Sequence, residues 1–323
     1  MQNESVSIAT FSPADLAGVV RLLAASMPAE RITVGEFTRR VLLDPNFDRK
    51  GAPVARSASG EAIGFLLAIA RRRSLEDAGD DRDLGWITLF AVKPELRRQG
   101  IGSRLLAAGE FYLSCKGCAA VLVSPYAPGY WIPGVDGAAY PEAHAFLEQR
   151  GYETVSRPLS MSLQFGPDWT VPASADAKFA NLRHEGIVVT PFAPNHALPL
   201  VEFLRPSFPG DWQRAARETM DAILAGRRPV SALWIAMSDE RCVGFAQYEG
   251  ERFGPIGVSE SERGRGIGAA LMYCVLDSMR REGSARAYFL WTNDATAASF
   301  YGATGFREVR RFDVFRKALS PCK

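Results

Sequence analysis

The chain has 323 residues, 47% hydrophobic and 23% charged, and its formal net charge is +2. This length allows two domains of about 150 residues, each able to bury its own core. The near-neutral charge gives no indication of a nucleic-acid partner, and no apolar run approaches the roughly 18 residues of a membrane span. The first residues do not resemble a signal peptide, so a cytoplasmic location is expected.

Cysteine usage is also that of an ordinary globular protein. Five cysteines, an odd number, argue against a disulfide framework. Cys115 and Cys118 have a metal-ligand spacing, but no second cysteine pair or nearby histidine completes a zinc set. We therefore interpret this pair as packing residues and expect no metal.

The first half of the chain alternates strand-like and helix-like segments. A helix is predicted to begin after Ser12, with Pro13 in its first turn. The pattern predicts further helices over 34–43 and 103–113, an amphipathic stretch over 141–150, and strands near 5–10, 52–57, 62–70, 86–92 and 119–124.

The second half repeats this order after a segment rich in Pro, Ser, Asp and Ala, which we interpret as a linker. It predicts strands near 187–190, 232–237, 242–248 and 253–258, and helices near 196–204, 211–224 and 269–281. The expected fold class is therefore α/β (α+β), with one mixed, twisted sheet flanked by helices in each of two tandem domains. The predicted boundaries are a first domain over 1–165, a linker over 166–185 and a second domain over 186–323.

A glycine-rich turn occurs once in each half, between a predicted strand and a predicted helix. The two copies are Arg97-Arg98-Gln99-Gly100-Ile101-Gly102, followed by Ser103, and Arg263-Gly264-Arg265-Gly266-Ile267-Gly268, followed by Ala269. Small residues let backbone N–H groups converge, and the helix N-terminus adds partial positive charge. Arginines supply fixed charge for phosphate. Each turn is therefore predicted to be an anion cradle for a phosphate-bearing cofactor.

Two other phosphate motifs fit the turns less well. A dinucleotide fingerprint needs its first glycine almost directly after the strand, whereas residues 259–263 intervene before Gly264. The first copy has no glycine at position 98. Neither turn is followed by Gly-Lys-Ser/Thr, which excludes a nucleotide P-loop.

The turns resemble the Arg-x-x-Gly-x-Gly/Ala pyrophosphate signature of the GNAT family of N-acetyltransferases. The closing motif of that family is matched by Ala297, Phe300, Tyr301, Gly305 and Phe306. The resemblance covers most of the chain and implies two tandem GNAT domains that use acetyl-CoA. It implies acetyl-CoA-dependent N-acetylation of a small primary amine, such as an aminosugar.

The resemblance also implies the cofactor-binding residues. In the second domain these are the end of the central strand, the cradle and the start of the closing motif: Ile256, Val258, Arg263, Gly264, Arg265, Gly266, Ile267, Gly268, Ala269, Asn293, Asp294 and Phe300. In the first domain they are Ala91, Val92, Arg97, Arg98, Gln99, Gly100, Ile101, Gly102 and Ser103.

The two halves differ at the position of the family's general acid. Four residues before the glycine of the closing motif, the second domain has Tyr301 and the first has Leu147. Leucine cannot donate a proton to a thiolate, so catalysis is predicted in the second domain. Glu251 is the candidate general base, with Glu249 as an alternative. The expected substrate residues are Trp212, Asp211 and Trp291.

Several alternatives stay open. The protein is also compatible with a non-catalytic acetyl-CoA sensor or interaction module, or with a peptide or protein N-acetyltransferase. The spacing from Arg97 to Arg263 is 166 residues, whereas that from Gly151 to Gly305 is 154, so the first half carries about 12 extra residues. We place them in the loop over 126–140, which either covers a site or seals the domains together. The sequence gives no oligomeric state.

Overall fold

Fourteen strands form two seven-stranded sheets in the computed structural model, which describes residues 6–322. Helices flank each sheet, and each sheet is mixed: one neighbouring pair is parallel and the other described ladders are antiparallel. The predicted fold class, two tandem α/β domains, is confirmed.

The first sheet has the order β1-β2-β3-β4-β5-β14-β6. Its central strands β3 and β4 are long and almost fully buried because both faces are covered by helices. The strands are β1 (Ser7–Thr10), β2 (Pro53–Arg56), β3 (Ala62–Ala70), β4 (Leu84–Val92), β5 (Ala120–Val123), β6 (Glu153–Ser156) and β14 (Val314–Ala318).

The second sheet has the order β13-β7-β12-β11-β10-β9-β8. Its strands are β7 (Leu159–Gln164), β8 (Ile187–Pro191), β9 (Leu233–Ser238), β10 (Arg241–Glu249), β11 (Arg252–Val258), β12 (Arg286–Thr292) and β13 (Arg307–Arg311).

The two sheets exchange one strand each. β14, from the end of the chain, lies between β5 and β6 of the first sheet, and β7, which follows β6 in sequence, lies between β13 and β12 of the second. The compact units are accordingly discontinuous. One comprises the described residues up to Ser74 with Asp80–Pro158 and those from Arg311; the other comprises Leu75–Gly79 and Leu159–Arg310.

The predicted domain boundaries therefore differ from the compact units. β7 lies before residue 165 but belongs to the second sheet, and β14 lies after residue 186 but belongs to the first. The predicted linker 166–185 contains a helix, α5 (Ser174–His184), which packs in the second unit. Hydrophobic periodicity predicts that a strand exists, but it does not identify the sheet that the strand joins.

Helices cover both faces of the first sheet. α1 (Leu16–Ser26) and α2 (Val34–Phe37) pack on one face, and α3 (Ile101–Cys115) and α4 (Pro141–Glu148) pack on the other. The predicted start of α1 is confirmed: the Ser12 backbone N–H donates to Asp15 Oδ2 at 2.6 Å, and Pro13 begins the preceding turn.

The second unit repeats this arrangement. α6 (Ala197–Ser207) and α7 (Asp211–Leu224) cover one face of its sheet. α8 (Ile267–Arg281) covers the other, together with α9 (Asp294–Thr296) and the helical turns Ala297–Tyr301 and Gly302–Thr304. Among residues 6–322, no helix combines the length and apolar character that crossing a lipid bilayer requires.

The cysteines differ from expectation. Cys115, the last residue of α3, forms a disulfide with Cys322, four residues after β14. The expectation of no disulfide is therefore wrong, because the two cysteines are 207 residues apart in sequence and only the exchanged strand brings them together. Cys118 is a free, buried packing residue, as predicted.

Candidate functional site

The second glycine-rich turn has the backbone of an anion cradle. Gly264 and Gly266 have φ angles of +83° and +90°, a region that favours glycine, and a Cβ at either position would meet open space. Gly266 caps α8, so the N–H groups of Ile267, Gly268 and Ala269 begin the helix without intrahelical acceptors. Phe300 packs beside this helix start, 3.4 Å from where a Gly268 Cβ would lie.

The two arginines of this turn differ in how strongly they are already paired. Arg265 donates from Nε to Glu185 at 2.9 Å and also pairs with Glu262, and these hydrogen bonds raise its pKa. Arg263 is 62% exposed, and its ion pair is to Glu260 at 4.0 Å. Arg263 is thus the cation more available to an incoming phosphate.

The first turn has the same backbone. Gly100 has φ +81° and caps α3, while Arg98, at the position of Gly264, has φ +62°. A non-glycine residue held at positive φ shows that the surrounding turn imposes this conformation. Arg97 Nη1 pairs with Glu142 at 2.9 Å, and Arg150 donates to the Ser103 hydroxyl. The first cradle is therefore preserved, with one arginine paired to α4.

A gap opens between the two parallel central strands of each sheet. Within residues 6–322, the β11–β12 ladder is limited to the pair Arg252 and Tyr288, although β11 continues to Val258. In the first unit, β4 and β5 pair only as far as Ile87 and Val123. Ile256 and Val258, and Ala91 and Val92, therefore lie where strand backbone faces a gap.

In the second sheet, a β-bulge lies at the closed end of the gap, just after the pair of Arg252 with Tyr288. Ala246 pairs with Ile256 and Tyr248 with Phe253, so Gln247 lies opposite the two residues Gly254 and Pro255. β4 of the first sheet also bulges, at Thr88, between the pairs Leu67–Leu89 and Ala68–Ile87. A bulge changes the direction in which backbone groups point, and in both sheets the bulge lies next to the gap between the parallel strands.

Tyr301 lies on the α8 face of the second sheet, within an aromatic cluster. Its ring is 9% exposed, with its centroid 4.3 Å from that of Phe289 and 4.9 Å from that of Phe300. Burial raises the pKa of Tyr301 to about 12. No described residue hydrogen-bonds to its hydroxyl. The equivalent Leu147 of the first unit is buried in the α3–α4 core.

The opposite face of the second sheet carries an exposed aromatic wall. Trp212 is 38% exposed and stacks on Phe208 with ring centroids 5.0 Å apart and planes 8° apart. A Cβ on Gly257 would lie 2.6 Å from the Phe208 ring, so this wall touches β11 directly. Asp211, beside Trp212, is ion-paired with Arg214 at 2.7 Å.

The corresponding face of the first unit is filled by the loop over 126–140. Tyr126 is 1% exposed, and its hydroxyl donates to Asp44 at 2.9 Å. The Trp131 ring is 7% exposed, and its indole N–H donates to the Arg31 carbonyl at 3.3 Å. Both rings belong to the α1–α2 core cluster. The loop therefore packs into the core of its own unit.

The remaining predicted residues are dispersed. Glu251 lies at the closed end of the gap and pairs with Arg286 at 2.9 Å. Asn293 caps α9, its side chain accepting from the Thr296 N–H at 2.9 Å, with Asp294 next to it in the first turn. Trp291 is exposed near the end of β12. No ring contact joins it to Trp212 in the part of the chain that is described, so the structure does not bring these tryptophans together.

Sequence reasoning missed two buried glutamines on the α6–α7 side. Gln213, in the first turn of α7, is fully buried, and neither polar atom of its side chain has a partner among the described residues. Gln247 is 5% exposed, and its Oε1 has no partner there either. The available signal was a single polar residue inside the otherwise apolar run 242–248.

Comparisons with known proteins bear on the family and the fold of the chain. The sequence profile of the acetyltransferase (GNAT) family matches residues 19–127 and 197–306. No match was found among curated protein sequences.

Three solved structures illustrate the likeness. A GCN5-related N-acetyltransferase from Sphaerobacter thermophilus is 21% identical, with a TM-score of 0.72 over 98% of this chain and 96% of that one. A tandem GNAT protein from the clavulanic acid biosynthesis pathway is 16% identical, with a TM-score of 0.65 over 99% of this chain and 100% of that one.

The third is described as a GCN5-related glucosamine N-acetyltransferase region of a fungal multi-domain GH3 beta-N-acetylglucosaminidase. It is 17% identical, with a TM-score of 0.78 over 98% of this chain and 38% of that one, so this chain spans little more than a third of the fungal protein's length. At these identities the likeness is one of fold.

Proposed function

Because the chain belongs to the acetyltransferase (GNAT) family, we propose that it transfers the acetyl group of acetyl-CoA to the primary amine of a small molecule. Catalysis is assigned to the second unit. One contrast carries this assignment: the second unit has Tyr301, whose ring contacts Phe253 of β11 and Phe289 of β12, and an exposed aromatic wall, whereas the first has Leu147 and a filled face.

The residues of the second cradle fit the pyrophosphate of acetyl-CoA. Open space lies over Gly264 and Gly266, the helix N–H groups beyond them lack intrahelical acceptors, and Arg263 is exposed. The free edge of β11 near Ile256 and Val258 fits a chain with amide groups, which would pair with strand backbone. When bound, acetyl-CoA supplies an acetyl group activated as a thioester.

Tyr301 is assigned the role of acid. Transfer forms a C–N bond and breaks the C–S bond, so the sulfur gains negative charge as the amine loses a proton. The Tyr301 hydroxyl keeps its proton at neutral pH, because burial raises its pKa to about 12. With no other described partner, that hydroxyl is free to donate a hydrogen bond to the sulfur. Glu251 is not assigned the role of base in this proposal, since its carboxylate pairs with Arg286.

The amine that accepts the acetyl group, called the acceptor below, is proposed to approach the second sheet on the face covered by α6 and α7. Trp212 and Phe208 offer a flat apolar surface there, which suits a sugar ring or another planar group. Asp211 lies beside this surface. Trp291 is near the C-terminal end of β12, so it would contact the acceptor from that strand and not from the Trp212 surface. The fungal glucosamine N-acetyltransferase region supports glucosamine as the first acceptor to test.

Calorimetric titration of acetyl-CoA tests the cofactor sites. Wild type is compared with the double variants Arg263→Ala/Gly266→Ala and Arg97→Ala/Gly100→Ala, and release of the CoA thiol is followed with glucosamine and other small primary amines. Loss of turnover with the second cradle alone would support the proposal. Absence of acetyl-CoA binding in wild type would refute it.

A second function is favoured for the first unit by one observation. Its cradle and gap are intact, while Leu147 replaces the acid and aromatic rings fill the other face. We infer that this unit, if it binds acetyl-CoA, holds it without turnover. A second calorimetric site that is lost only with Arg97 and Gly100 would support this role, and a single site would exclude it.

A further inference from the structure

Gln247 is an unusual residue for its place in the fold. It lies in β10, where the five residues before it and the one after it, from 242 to 248, are all buried. Its own side chain is 5% exposed, and Oε1 has no hydrogen-bond partner among the described residues. Burying an unpartnered amide oxygen lowers the stability of a fold, so a structural role does not account for it.

Strand alternation shows which face Gln247 occupies. Phe245, two residues earlier, packs against Phe208 and Trp212 with ring centroids 6.0 and 6.3 Å apart. Gly244 faces the other way, because a Cβ there would lie 3.1 Å from Leu271 of α8. Since residues i and i+2 of a strand share a face, Gln247 lies on the same side as Phe245. Gln247 is therefore on the face proposed for the acceptor.

The register of β10 shows how far along the gap Gln247 lies. It stands opposite Gly254 and Pro255, the residues of the β-bulge. Gly254 and Pro255 lie two and three residues after Arg252, whose pair with Tyr288 is the last one described between β11 and β12. Gln247 thus marks the closed end of the gap, where strand backbone and the acceptor face meet.

We propose that Gln247 is the positioning residue for the acceptor, its Oε1 accepting a hydrogen bond from an N–H of the attacking amine. This inference rests on the proposed function. A neutral amide oxygen can accept an N–H bond without fixing the amine in its charged form, as a carboxylate would. The lone pair of the neutral amine then stays available to the acetyl carbon.

The arrangement defines an acceptor class. The amine must carry an N–H, and the group that bears it must fit beside the flat pair Phe208 and Trp212. Primary amines on a ring or a similarly planar group meet both conditions.

The test compares Gln247→Leu and Gln247→Glu with wild type, and uses Gln164→Leu, an exposed glutamine of the same sheet, as the control. The readouts are KM for acetyl-CoA, KM for the best acceptor from a panel of primary amines that includes glucosamine, the pH profile, acetyl-CoA binding by calorimetry and the melting temperature.

Gln247→Leu is expected to raise the amine KM by about 10-fold or more while the acetyl-CoA KM stays within about twofold. Because it removes a buried unpartnered amide, it should also raise the melting temperature by about 2–4 °C. Gln247→Glu should restore amine binding. Its carboxylate favours the charged ammonium form, so the rise of activity with pH should shift to higher pH.

An unchanged amine KM in Gln247→Leu would overturn the inference, and so would a lower melting temperature accompanied by lost acetyl-CoA binding. Failure of the proposed function itself is distinguishable, because wild type would then acetylate no amine of the panel before any substitution is made.

Discussion

Replacing Tyr301 by Phe removes one hydroxyl and leaves the ring in place. The ring packs on Phe289 at 4.3 Å between centroids, and no described residue hydrogen-bonds to the hydroxyl. The free energy of unfolding should therefore change by no more than about 0.5 kcal/mol. Acetyl-CoA affinity should also be preserved, since the cradle residues are untouched.

The expected loss of activity follows from the pKa of Tyr301. A pKa of about 12 lies about 3.5 units above the ~8.5 of an ordinary thiol, so complete proton transfer to a thiolate is uphill by roughly 5 kcal/mol. A hydrogen bond to the developing thiolate is then the larger contribution, at about 1.5–3 kcal/mol. Tyr301→Phe should lower kcat by about 10- to 150-fold.

The assay is steady-state release of CoA thiol from pH 6 to 10, with melting temperature and acetyl-CoA calorimetry on the same samples. Wild type should show no loss of activity from Tyr301 ionisation in this range, because its pKa lies above it. Tyr152→Phe is the matched control in the first unit. The Tyr152 hydroxyl donates to Glu110 at 2.9 Å, so this variant should lose about 1–3 kcal/mol of stability with kcat unchanged.

Tyr301→Phe is thus expected to lose activity but not stability, whereas Tyr152→Phe is expected to lose stability but not activity. A Tyr301→Phe protein that binds acetyl-CoA and turns over like wild type would refute the role of Tyr301 as acid. Loss of stability in proportion to lost activity would show instead that the hydroxyl has a structural role.

Three further predictions follow from the cradle, the filled face and the disulfide. Arg263→Ala should weaken acetyl-CoA binding by about 10-fold or more in calorimetry. Arg265→Ala should have a smaller effect, because carboxylates already pair with Arg265; equal losses would contradict this reasoning. Trp131→Ala should lower the free energy of unfolding by about 3–5 kcal/mol in denaturant titration, without acetyl-CoA binding to the second cradle being affected. Cys322→Ser should cost the oxidised protein about 2–4 kcal/mol by releasing the Cys115 crosslink, and a reductant should abolish that difference.

The backbone conformation of the two glycine-rich turns was predictable from sequence because its determinants are local. Glycine at positions 264 and 266 permits positive φ, and the apolar spacing after Gly266 specifies the start of α8. The contrast between Tyr301 and Leu147 was equally visible, since both residues lie at a fixed distance from a glycine. The structure adds the burial that raises the pKa of Tyr301.

What the sequence did not predict depends on distant partners. The disulfide between Cys115 and Cys322, and the strand between β5 and β6, require knowledge of which segments meet. The role of Gln247 depends on a bulge in the neighbouring strand, which no spacing within β10 reveals. The ion pair between Glu251 and Arg286 likewise joins residues that are 35 positions apart in sequence.

The exchange of strands also sets an order of events during synthesis. Among the described strands, β14 is the single neighbour of β6, and β14 begins at residue 314, 158 residues after β6 ends at 156. At about 5–20 residues per second, the ribosome needs roughly 8–30 s to make that stretch. During this interval the first sheet ends at β5, with an open edge. The first sheet is therefore completed only after all seven strands of the second sheet, β7 to β13, have been made.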